Sequence, residues 1–373
     1  MKQYFLMILL LLLTACQGGK TTQMQANSNA IQLEYAANIT MQQGEGYILA
    51  TLKNPWKENT ILQTYVLVPK DKELPGNLPQ GTVVRTPLNN ALVYASVHCG
   101  LISQLGGEER IGGVCDREYI KLQSLQQRID KGLAYDCGSN FTPNIERIIQ
   151  MHPEAILLSP YETSGDYGKL GKLGIPLVQC ADYMETSPLG RAEWVKFYGM
   201  LFGCEQQADS LFKEVSSDYL HLKELVQKTT SRPSVLSDTR YGQVWHQPAG
   251  NSTIGQLYVD AGATNPFGNN PESGSVALSS EQVFAQAHDA DIWLMKYNAP
   301  QNRTLEELKN DADIHAQFKA FQTGNVYGCN TQTRNYYEET PYHPNYLLRD
   351  MIMMFHPELG LEGSLRYYEK LKP

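Results

Sequence analysis

Residues 144–158 (NIERIIQMHPEAILL) and residues 279–294 (SSEQVFAQAHDADIWL) follow one pattern. Each stretch opens with a polar residue that can cap a helix and places a glutamate, Glu146 or Glu281, in the first helical turn. An acidic residue follows eight positions after each glutamate, and an alanine then leads into an apolar run typical of a buried strand. Because one copy lies in each half of the chain, we predict two lobes of similar construction.

A long helical segment separates the two copies. Ser187-Pro188 is a strong helix start, and apolar residues recur every three or four positions between residues 205 and 228, which predicts a rod of roughly 35 Å. On both sides of this segment, short apolar runs alternate with helical patterns, as in a parallel α/β sheet. The predicted fold class is therefore α/β, with two α/β lobes joined by a single long backbone helix. Such a connection permits only small movements, so the cleft between the lobes should be largely preformed.

The chain length also favours two lobes, because 373 residues exceed the roughly 250–300 at which a single core stops growing. Residues 31–85 have the alternation and Pro/Gly breaks of extra antiparallel β-strands at the edge of the first lobe. The predicted segments are a signal peptide (1–15), a tether (16–30), an N-terminal α/β lobe (31–187), linking helices (188–230) and a C-terminal α/β lobe (231–373).

The N-terminus predicts export. Lys2 precedes an apolar run over residues 4–13, which has the length of a secretory signal and is too short to span a bilayer. The ending Leu13-Thr14-Ala15-Cys16 resembles the bacterial lipobox, which implies acylation of Cys16 and a lipid-anchored, periplasm-facing protein on a bacterial membrane. The alternative is an ordinary signal peptide with an incidental cysteine.

Composition restricts the partners. The chain has 31 basic and 39 acidic residues, a formal charge of −8 and no run of like charge, which argues against nucleic-acid binding. No Cys-x-x-Cys motif occurs, so neither a zinc ribbon nor a thioredoxin-like pair is indicated, and we predict no metal site and no intrinsic cofactor. The cysteines after Cys16 allow fifteen disulfide pairings and are predicted to be buried or partly paired: Cys99, Cys115, Cys137, Cys180, Cys204 and Cys329.

Four motifs in a fixed order resemble the substrate-binding proteins of ATP-driven importers for cobalamin, haem and ferric siderophores, whose lobes are joined by a long backbone helix. The motifs are residues 105–114 (LGGEERIGGV), 144–156, 170–176 (LGKLGIP) and 278–283 (LSSEQV). The resemblance covers residue 83 to the C-terminus, and residues 31–82 have no counterpart in it. It implies a monomeric, lipid-anchored binding protein that captures an iron or cobalt chelate and delivers it to the permease and ATPase subunits of an ABC importer.

The same resemblance assigns a role to the two first-turn glutamates. A glutamate on each lobe of these proteins pairs with arginines of the permease, and by motif position these are Glu146 and Glu281. Charge-assisted carboxylate–arginine contacts suit such docking because they fix register and raise the association rate. The alternative is that both are ordinary first-turn glutamates favoured by the helix dipole.

Open α/β sheets bind ligands at the carboxyl ends of their strands, so residues that follow predicted strands are the cleft candidates. A large chelate needs aromatic faces and a few fixed polar groups. His98 or His246 could coordinate iron or cobalt, and Tyr119 or Tyr161 could supply a phenolate ligand. The predicted ligand-binding residues are His98, Asp116, Tyr119, Tyr161, Trp245, His246, Tyr297, Tyr336 and Tyr337.

Two alternative functions stay open. One is an exported chelate-processing enzyme that uses Asp116 or Asp182 with His98 as acid–base groups. The other is a lipid-anchored sensor without a transporter. No nucleophile elbow, phosphate loop or His-x-x-x-His pair is present, so a binding protein is the leading interpretation. The ligand is left open among a ferric siderophore, haem and cobalamin.

Overall fold

The computed structural model describes residues 29–165 and 167–373. The predicted signal peptide, the lipidation site Cys16 and almost all of the predicted tether lie outside the described residues. Within those residues, no helix combines the length and apolar character that crossing a bilayer would require.

The N-terminal segment forms a five-stranded sheet of its own, in the order β1-β2-β3-β4-β5. Strands β1 to β4 pair antiparallel as predicted, but β5 runs parallel to β4, which corrects the expectation of a wholly antiparallel sheet. A parallel neighbour requires a crossover, and the Pro- and Gly-containing connection over residues 70–81 supplies it. The strands are β1 (Ala30–Ile31), β2 (Ile39–Gln43), β3 (Ile48–Lys53), β4 (Ile61–Pro69) and β5 (Thr82–Thr86).

The first lobe is an all-parallel sheet with the order β10-β9-β6-β7-β8. The two-residue strand β8 and the mostly polar helix α2 were not predicted, because each buries too few apolar residues to show a period. The strands are β6 (Ala91–Val93), β7 (Ile111–Val114), β8 (Tyr135–Asp136), β9 (Ala155–Leu158) and β10 (Leu177–Gln179). The helices are α1 (Ser96–Gln104), α2 (Gln123–Asp130), α3 (Ile145–Met151) and α4 (Gly168–Gly171).

The N-terminal sheet packs on the first lobe and shares its core. The buried hydroxyl of Tyr65 in β4 donates a hydrogen bond to the Leu177 carbonyl at 3.1 Å and accepts one from the Gln179 amide at 2.7 Å. Both partners belong to β10, the edge strand of the first-lobe sheet, so Tyr65 covers an edge that would otherwise expose unpaired backbone groups.

Three helices follow the first lobe: α5 (Pro188–Glu193), α6 (Val195–Phe202) and the 22-residue α7 (Glu205–Val226). The predicted helix start is confirmed, since the Ser187 hydroxyl accepts a hydrogen bond from the Gly190 amide at 2.9 Å. Helix α7 contributes to two cores. Its buried residues Ala208, Phe212 and Val215 belong to the first-lobe core, whereas Tyr219, Leu222 and Val226 belong to the core of the second lobe.

Two buried glutamates of this helical region hold the start of the chain. Glu193 accepts hydrogen bonds from the amides of Glu34, Tyr35 and Ala36 at 3.0, 2.7 and 2.9 Å. Glu185 does the same for the next two amides, those of Ala37 and Asn38. Five consecutive backbone donors between β1 and β2 therefore depend on two carboxylates of the linking region.

We expect Glu193→Ala to lower the free energy of unfolding by about 2–4 kcal/mol, because three backbone donors lose a buried charged acceptor. Amide exchange at residues 34–36 should accelerate more than exchange in the first-lobe sheet. The control is Glu224→Ala, which removes an exposed glutamate from α7. Unchanged exchange at residues 34–36 would contradict the anchoring role.

The second lobe has a four-stranded sheet, β11-β14-β15-β16, and a separate antiparallel pair, β12 and β13. Strands β11, β14 and β15 are parallel, and the short β16 is antiparallel. The strands are β11 (Val235–Ser237), β12 (Trp245–Pro248), β13 (Ser275–Leu278), β14 (Ile292–Tyr297), β15 (Val326–Asn330) and β16 (Glu369–Lys370). The helices are α8 (Thr253–Asp260), α9 (Ser280–Ala287), α10 (Leu305–Asp311), α11 (Lys319–Gln322), α12 (Tyr336–Glu339) and α13 (Pro344–Phe355).

The apolar spacing of residues 305–321 predicts one continuous helix, but the structure interrupts it. Ala312 and Phe318 have extended backbones on either side of a 3-10 turn, and these residues separate α10 from α11. The cause is His315, whose Nδ1 lies 2.7 Å from the Leu308 carbonyl and whose ring packs edge-on against Trp293. Helix α10 therefore ends at Asp311, and the 3-10 turn that follows places the His315 imidazole in the buried interior.

Candidate functional site

A cleft of about 1360 Å³ lies between the lobes, at the carboxyl ends of both parallel sheets. The first lobe contributes residues that follow its strands β6 to β9, and the second lobe contributes residues at the ends of β14 and β15 and on α12. The two lobes thus present their ligand-binding edges to the same space, as the parallel topology predicts.

Aromatic side chains dominate the cleft. Phe141, Tyr119, Tyr161 and Tyr337 line it with 83, 63, 55 and 53 % of their surfaces exposed. Three further tyrosines line the same cleft: Tyr94, Tyr167 and Tyr297. Aromatic rings carry a large hydrophobic area, and several left exposed in one concave surface mark a binding site for a flat or bulky ligand.

The charged groups of the cleft are mostly acidic. The carboxylates are Asp116, Glu118 and Glu338, and the ammonium groups belong to Lys121 and Lys296. No arginine or histidine lines the cleft among the described residues. The preponderance of carboxylates is unfavourable for a polyanionic ligand, since like charges in a desolvated site repel.

Both lysines are already engaged. The Lys296 ammonium contacts both carboxylate oxygens of Asp238 at 2.8 Å, and although burial alone would lower the pKa of Lys296, the Asp238 charge raises it. Lys296 therefore stays protonated and is neutralised within the protein. Lys121 of the first lobe donates hydrogen bonds to the carbonyls of Thr331 and Arg334 in the second lobe, the latter at 2.7 Å.

Three buried polar atoms of the cleft-lining residues have no hydrogen-bond partner: the hydroxyls of Tyr94 and Tyr167 and Oε2 of Glu338. Burial raises the pKa of all three groups. A buried polar group without a partner costs about 1–3 kcal/mol, so these three atoms are energetically unsatisfied as they stand.

The lobes also contact each other beyond α7. Helix α1 of the first lobe packs against α12 of the second. The Gln104 side chain is hydrogen-bonded to His343 Nε2 at about 3 Å. Together with the Lys121 contacts, these interactions join the two lobes beside the cleft, and a largely preformed cleft stays a prediction.

Five of the nine predicted ligand-binding residues line the cleft: Asp116, Tyr119, Tyr161, Tyr297 and Tyr337. Their contact with a ligand stays a prediction. The other four, His98, Trp245, His246 and Tyr336, do not line it, which corrects their predicted placement.

His98 points away from the cleft into the linking region. It is 2 % exposed, its Nε2 lies 2.9 Å from Asp182 Oδ1, and the Tyr198 hydroxyl donates to the same oxygen at 2.8 Å. Arg191 contacts the other oxygen of Asp182 at 3.1 Å. His98 and Asp182, two of the three groups proposed for acid–base chemistry, are therefore components of a buried network and do not face the ligand space.

The remaining misplaced residues belong to the second lobe. Trp245 is fully buried, and its indole nitrogen donates to the Ser237 carbonyl at 2.8 Å. His246, the next residue in β12, is exposed and pairs across the β12–β13 ladder with Ala277. Tyr336 is 4 % exposed and packs edge-on against Tyr367. Trp245 and His246 were predicted to follow a strand of the parallel sheet. They belong instead to β12, which pairs antiparallel with β13 in a separate sheet.

Several cleft residues were not predicted. Phe141 follows the unpredicted strand β8, and Glu338 lies on α12 directly after the predicted Tyr337. Tyr94 follows β6 immediately and was the one that sequence position could have identified. The six cysteines after Cys16 are all buried and unpaired, which confirms their predicted burial.

Glu146 and Glu281 occupy equivalent places in the two lobes. Both are exposed residues in the first turn of a helix, α3 or α9, that runs directly into a parallel strand, β9 or β14. Such a helix runs opposite to its strand, so its N-terminus lies at the carboxyl edge of the sheet, the edge that carries the cleft. A hydrogen bond from Ser279 lowers the pKa of Glu281.

Comparison with known proteins assigns the family. The family model for periplasmic binding proteins matches residues 104–333, which is more than half of the chain. The chain belongs to the periplasmic binding protein family. Within this family it has the fold of the substrate-binding proteins for haem, cobalamin and siderophores, which confirms the resemblance and the α/β fold class.

Individual relatives agree with this assignment. An uncharacterized lipoprotein of Methanocaldococcus jannaschii is 25 % identical over 91 % of this chain and 85 % of its own length. The periplasmic heme-binding protein RhuT of Roseiflexus sp. RS-1 superposes with a TM-score of 0.57 at 18 % identity, over 73 % of this chain and 99 % of its own. An ABC-type Fe3+-hydroxamate transport protein of Saccharomonospora viridis has the same TM-score at 16 % identity, over 72 % of this chain and 94 % of its own.

The described residues contain no group of three or more His, Cys, Asp or Glu side chains placed to hold a metal ion.

Proposed function

We propose that this protein is an exported binding protein that captures a metal chelate between its lobes and delivers it to an ABC importer. The observation that carries the proposal is the inter-lobe cleft at the carboxyl edges of both sheets, lined by four aromatic side chains that are each more than half exposed. The structurally similar proteins named for heme and Fe3+-hydroxamate support a chelate as the ligand.

The chelate would be held by its organic shell. Aromatic faces pack against a ring system or an aliphatic chelate scaffold, and hydroxyls of the cleft-lining tyrosines supply directional hydrogen bonds. A ferric siderophore, haem and cobalamin all suit a cavity of this size, with the metal carried as cargo inside the ligand. The protein needs no cofactor of its own for this role and acts without catalysis.

The remaining parts of the proposal concern location and partners. Cys16 would carry the lipid that holds the protein on the outer side of the membrane, in agreement with the relatives that are named lipoproteins. Glu146 and Glu281 would meet arginines of the permease, one lobe to each permease half. A monomer satisfies this arrangement, because the two lobes of one chain already supply both docking groups.

The direct test is to purify the protein from its native host and record an absorption spectrum and a mass spectrum. We expect one chelate per chain, with a Soret band for haem, a corrin spectrum for cobalamin, or a ligand-to-metal band for a ferric siderophore. Purified protein that converts the chelate into a product would favour the enzyme alternative. Protein that carries no ligand and binds none of the three chelate classes would refute the proposed function.

The aromatic rings give a second test. We expect Tyr119→Ala and Tyr161→Ala each to weaken chelate binding about tenfold, because each removes a stacking face from the cleft. Binding is measured by titrating haemin, cyanocobalamin and a ferric trihydroxamate against intrinsic fluorescence. Tyr241→Ala is the control, since Tyr241 is 89 % exposed but lies outside the cleft. An equal loss in all three variants would contradict a specific role for the cleft tyrosines.

A further inference from the structure

We infer that the cleft selects a neutral or cationic chelate, and that Glu338 receives a hydrogen-bond donor of that ligand. This inference rests on the proposed function and concerns the charge class of the ligand. The alternative class is the polyanionic chelate, such as a ferric triscatecholate or a polycarboxylate complex.

The cleft-lining side chains have a net negative charge once the ion pair inside the protein is counted. Lys296 is neutralised by Asp238, which contacts it through both carboxylate oxygens. The three lining carboxylates therefore face one remaining ammonium group, that of Lys121. A polyanion entering this space would meet net negative charge and no guanidinium group from the described lining residues, whereas a cation or a neutral chelate would not be repelled.

The Lys121 ammonium group is already engaged in hydrogen bonds within the protein. It donates to two backbone carbonyls of the opposite lobe, those of Thr331 and Arg334. Turning it toward an anionic ligand would break both contacts between the lobes. Lys121 therefore serves to join the lobes and is poorly placed to neutralise a polyanion.

Glu338 lies where the two lobes contact each other. It lies on α12, where this helix packs against α1, and a β-carbon at Gly100 of α1 would stand 3.6 Å from Glu338 Cβ. Its Oε2 is buried and has no hydrogen-bond partner, while the residue lines the cleft. An ionised carboxylate can only accept hydrogen bonds, and because Oε2 as placed has almost no accessible surface, Glu338 would pair with an ammonium or amide donor of the ligand once its side chain turns toward the cleft.

The test is a panel of chelates that differ in charge, titrated against the wild-type protein. It contains a monocationic ferric trihydroxamate with a terminal ammonium group, its neutral N-acetylated form, neutral cyanocobalamin, anionic haemin and a trianionic ferric triscatecholate. We expect the tightest binder to be neutral or cationic and the triscatecholate to bind at least about a hundredfold more weakly. Haemin or the triscatecholate as the tightest binder would overturn the inference and leave the proposed function standing. No binding by any member would overturn both.

The role of Glu338 is tested by Glu338→Gln with the two ferric trihydroxamates. We expect about a tenfold weaker affinity for the ammonium form and less than about a twofold change for the acetylated form, because only the former pairs with the carboxylate. A general structural defect would weaken both equally and would overturn the assignment. Glu306→Gln removes the same charge from an exposed site on α10 and should change neither affinity.

Discussion

Replacing Asp182 with asparagine is expected to lower the free energy of unfolding by about 3–5 kcal/mol, the usual cost of breaking a buried charge network from one side. Asp182 is 1 % exposed and receives hydrogen bonds or ionic contacts from His98, Tyr198 and Arg191. An asparagine side chain keeps the size but leaves the guanidinium without its counter-charge. Denaturant unfolding at neutral pH measures the loss.

The same carboxylate should make stability depend on acid. Burial alone would raise the pKa of Asp182, but the His98 and Arg191 contacts and the Tyr198 hydrogen bond outweigh it and lower the pKa to about 2. The unfolded chain has a pKa of about 3.9 for aspartate. A carboxylate with a depressed pKa stabilises fully above the unfolded value and loses that contribution as the pH falls through the folded value.

We therefore expect the wild-type protein to lose about 2 kcal/mol between pH 4 and pH 2 through Asp182 alone, and Asp182→Asn to show a correspondingly flatter profile. Asp209→Asn, at an exposed position on α7, is the control and should leave the acid profile unchanged. An Asp182→Asn variant with wild-type stability and a wild-type acid profile would show that this network does not stabilise the linking region.

Reversing the charge of the two glutamates proposed to dock the permease, Glu146→Arg with Glu281→Arg, should reduce chelate uptake by whole cells more than tenfold. Each lobe would then present an arginine to an arginine of the permease, and removing a charge-assisted contact of this kind costs about 2–5 kcal/mol. Both residues are exposed and outside the cleft, so binding of the chelate by the purified variant should stay within about twofold of wild type.

Uptake is measured in a strain that lacks the native copy and expresses the variant. The matched control reverses Glu205 and Glu306, which are also exposed and also lie in the first turn of a helix, α7 or α10. Normal uptake by the Glu146/Glu281 variant would remove the docking role and favour the transporter-free sensor. Loss of uptake in both double variants would show a general effect of charge.

The elements that sequence predicted best have either two independent signals or one signal sustained over many residues. Helices α3 and α9 have a capping residue and a following buried strand, and α7 has 22 residues of sustained apolar period. Elements with one weak signal were missed: β8 has two residues, and α2 buries only Leu125 and Ile129. The parallel pairing of β4 and β5 could not be predicted because strand direction depends on the path of the connection.

The candidate site was predicted less completely than the fold, for a geometric reason. Position after a strand identifies the edge of the sheet that a residue occupies, but it does not give the direction of its side chain. His98 and Tyr337 illustrate the difference, since both lie at starts of helices near that edge, yet His98 turns into the linking region and Tyr337 faces the cleft. Partners distant in sequence decide this, as Asp182 does for His98.

The division of α7 between two cores has a consequence for how this protein can change in evolution. The rotation of the first half of α7 relative to its second half is fixed, because each half must point its buried side chains into a different core. Ala208, Phe212 and Val215 face the first-lobe core, and Tyr219, Leu222 and Val226 face the second-lobe core. Inserting or deleting one residue between Val215 and Tyr219 would rotate everything downstream by about 100° and turn the second set of side chains away from its lobe. A one-residue change in the length of this segment should therefore disrupt the second-lobe core, whereas a one-residue change in a surface loop would leave the phase of α7 unchanged.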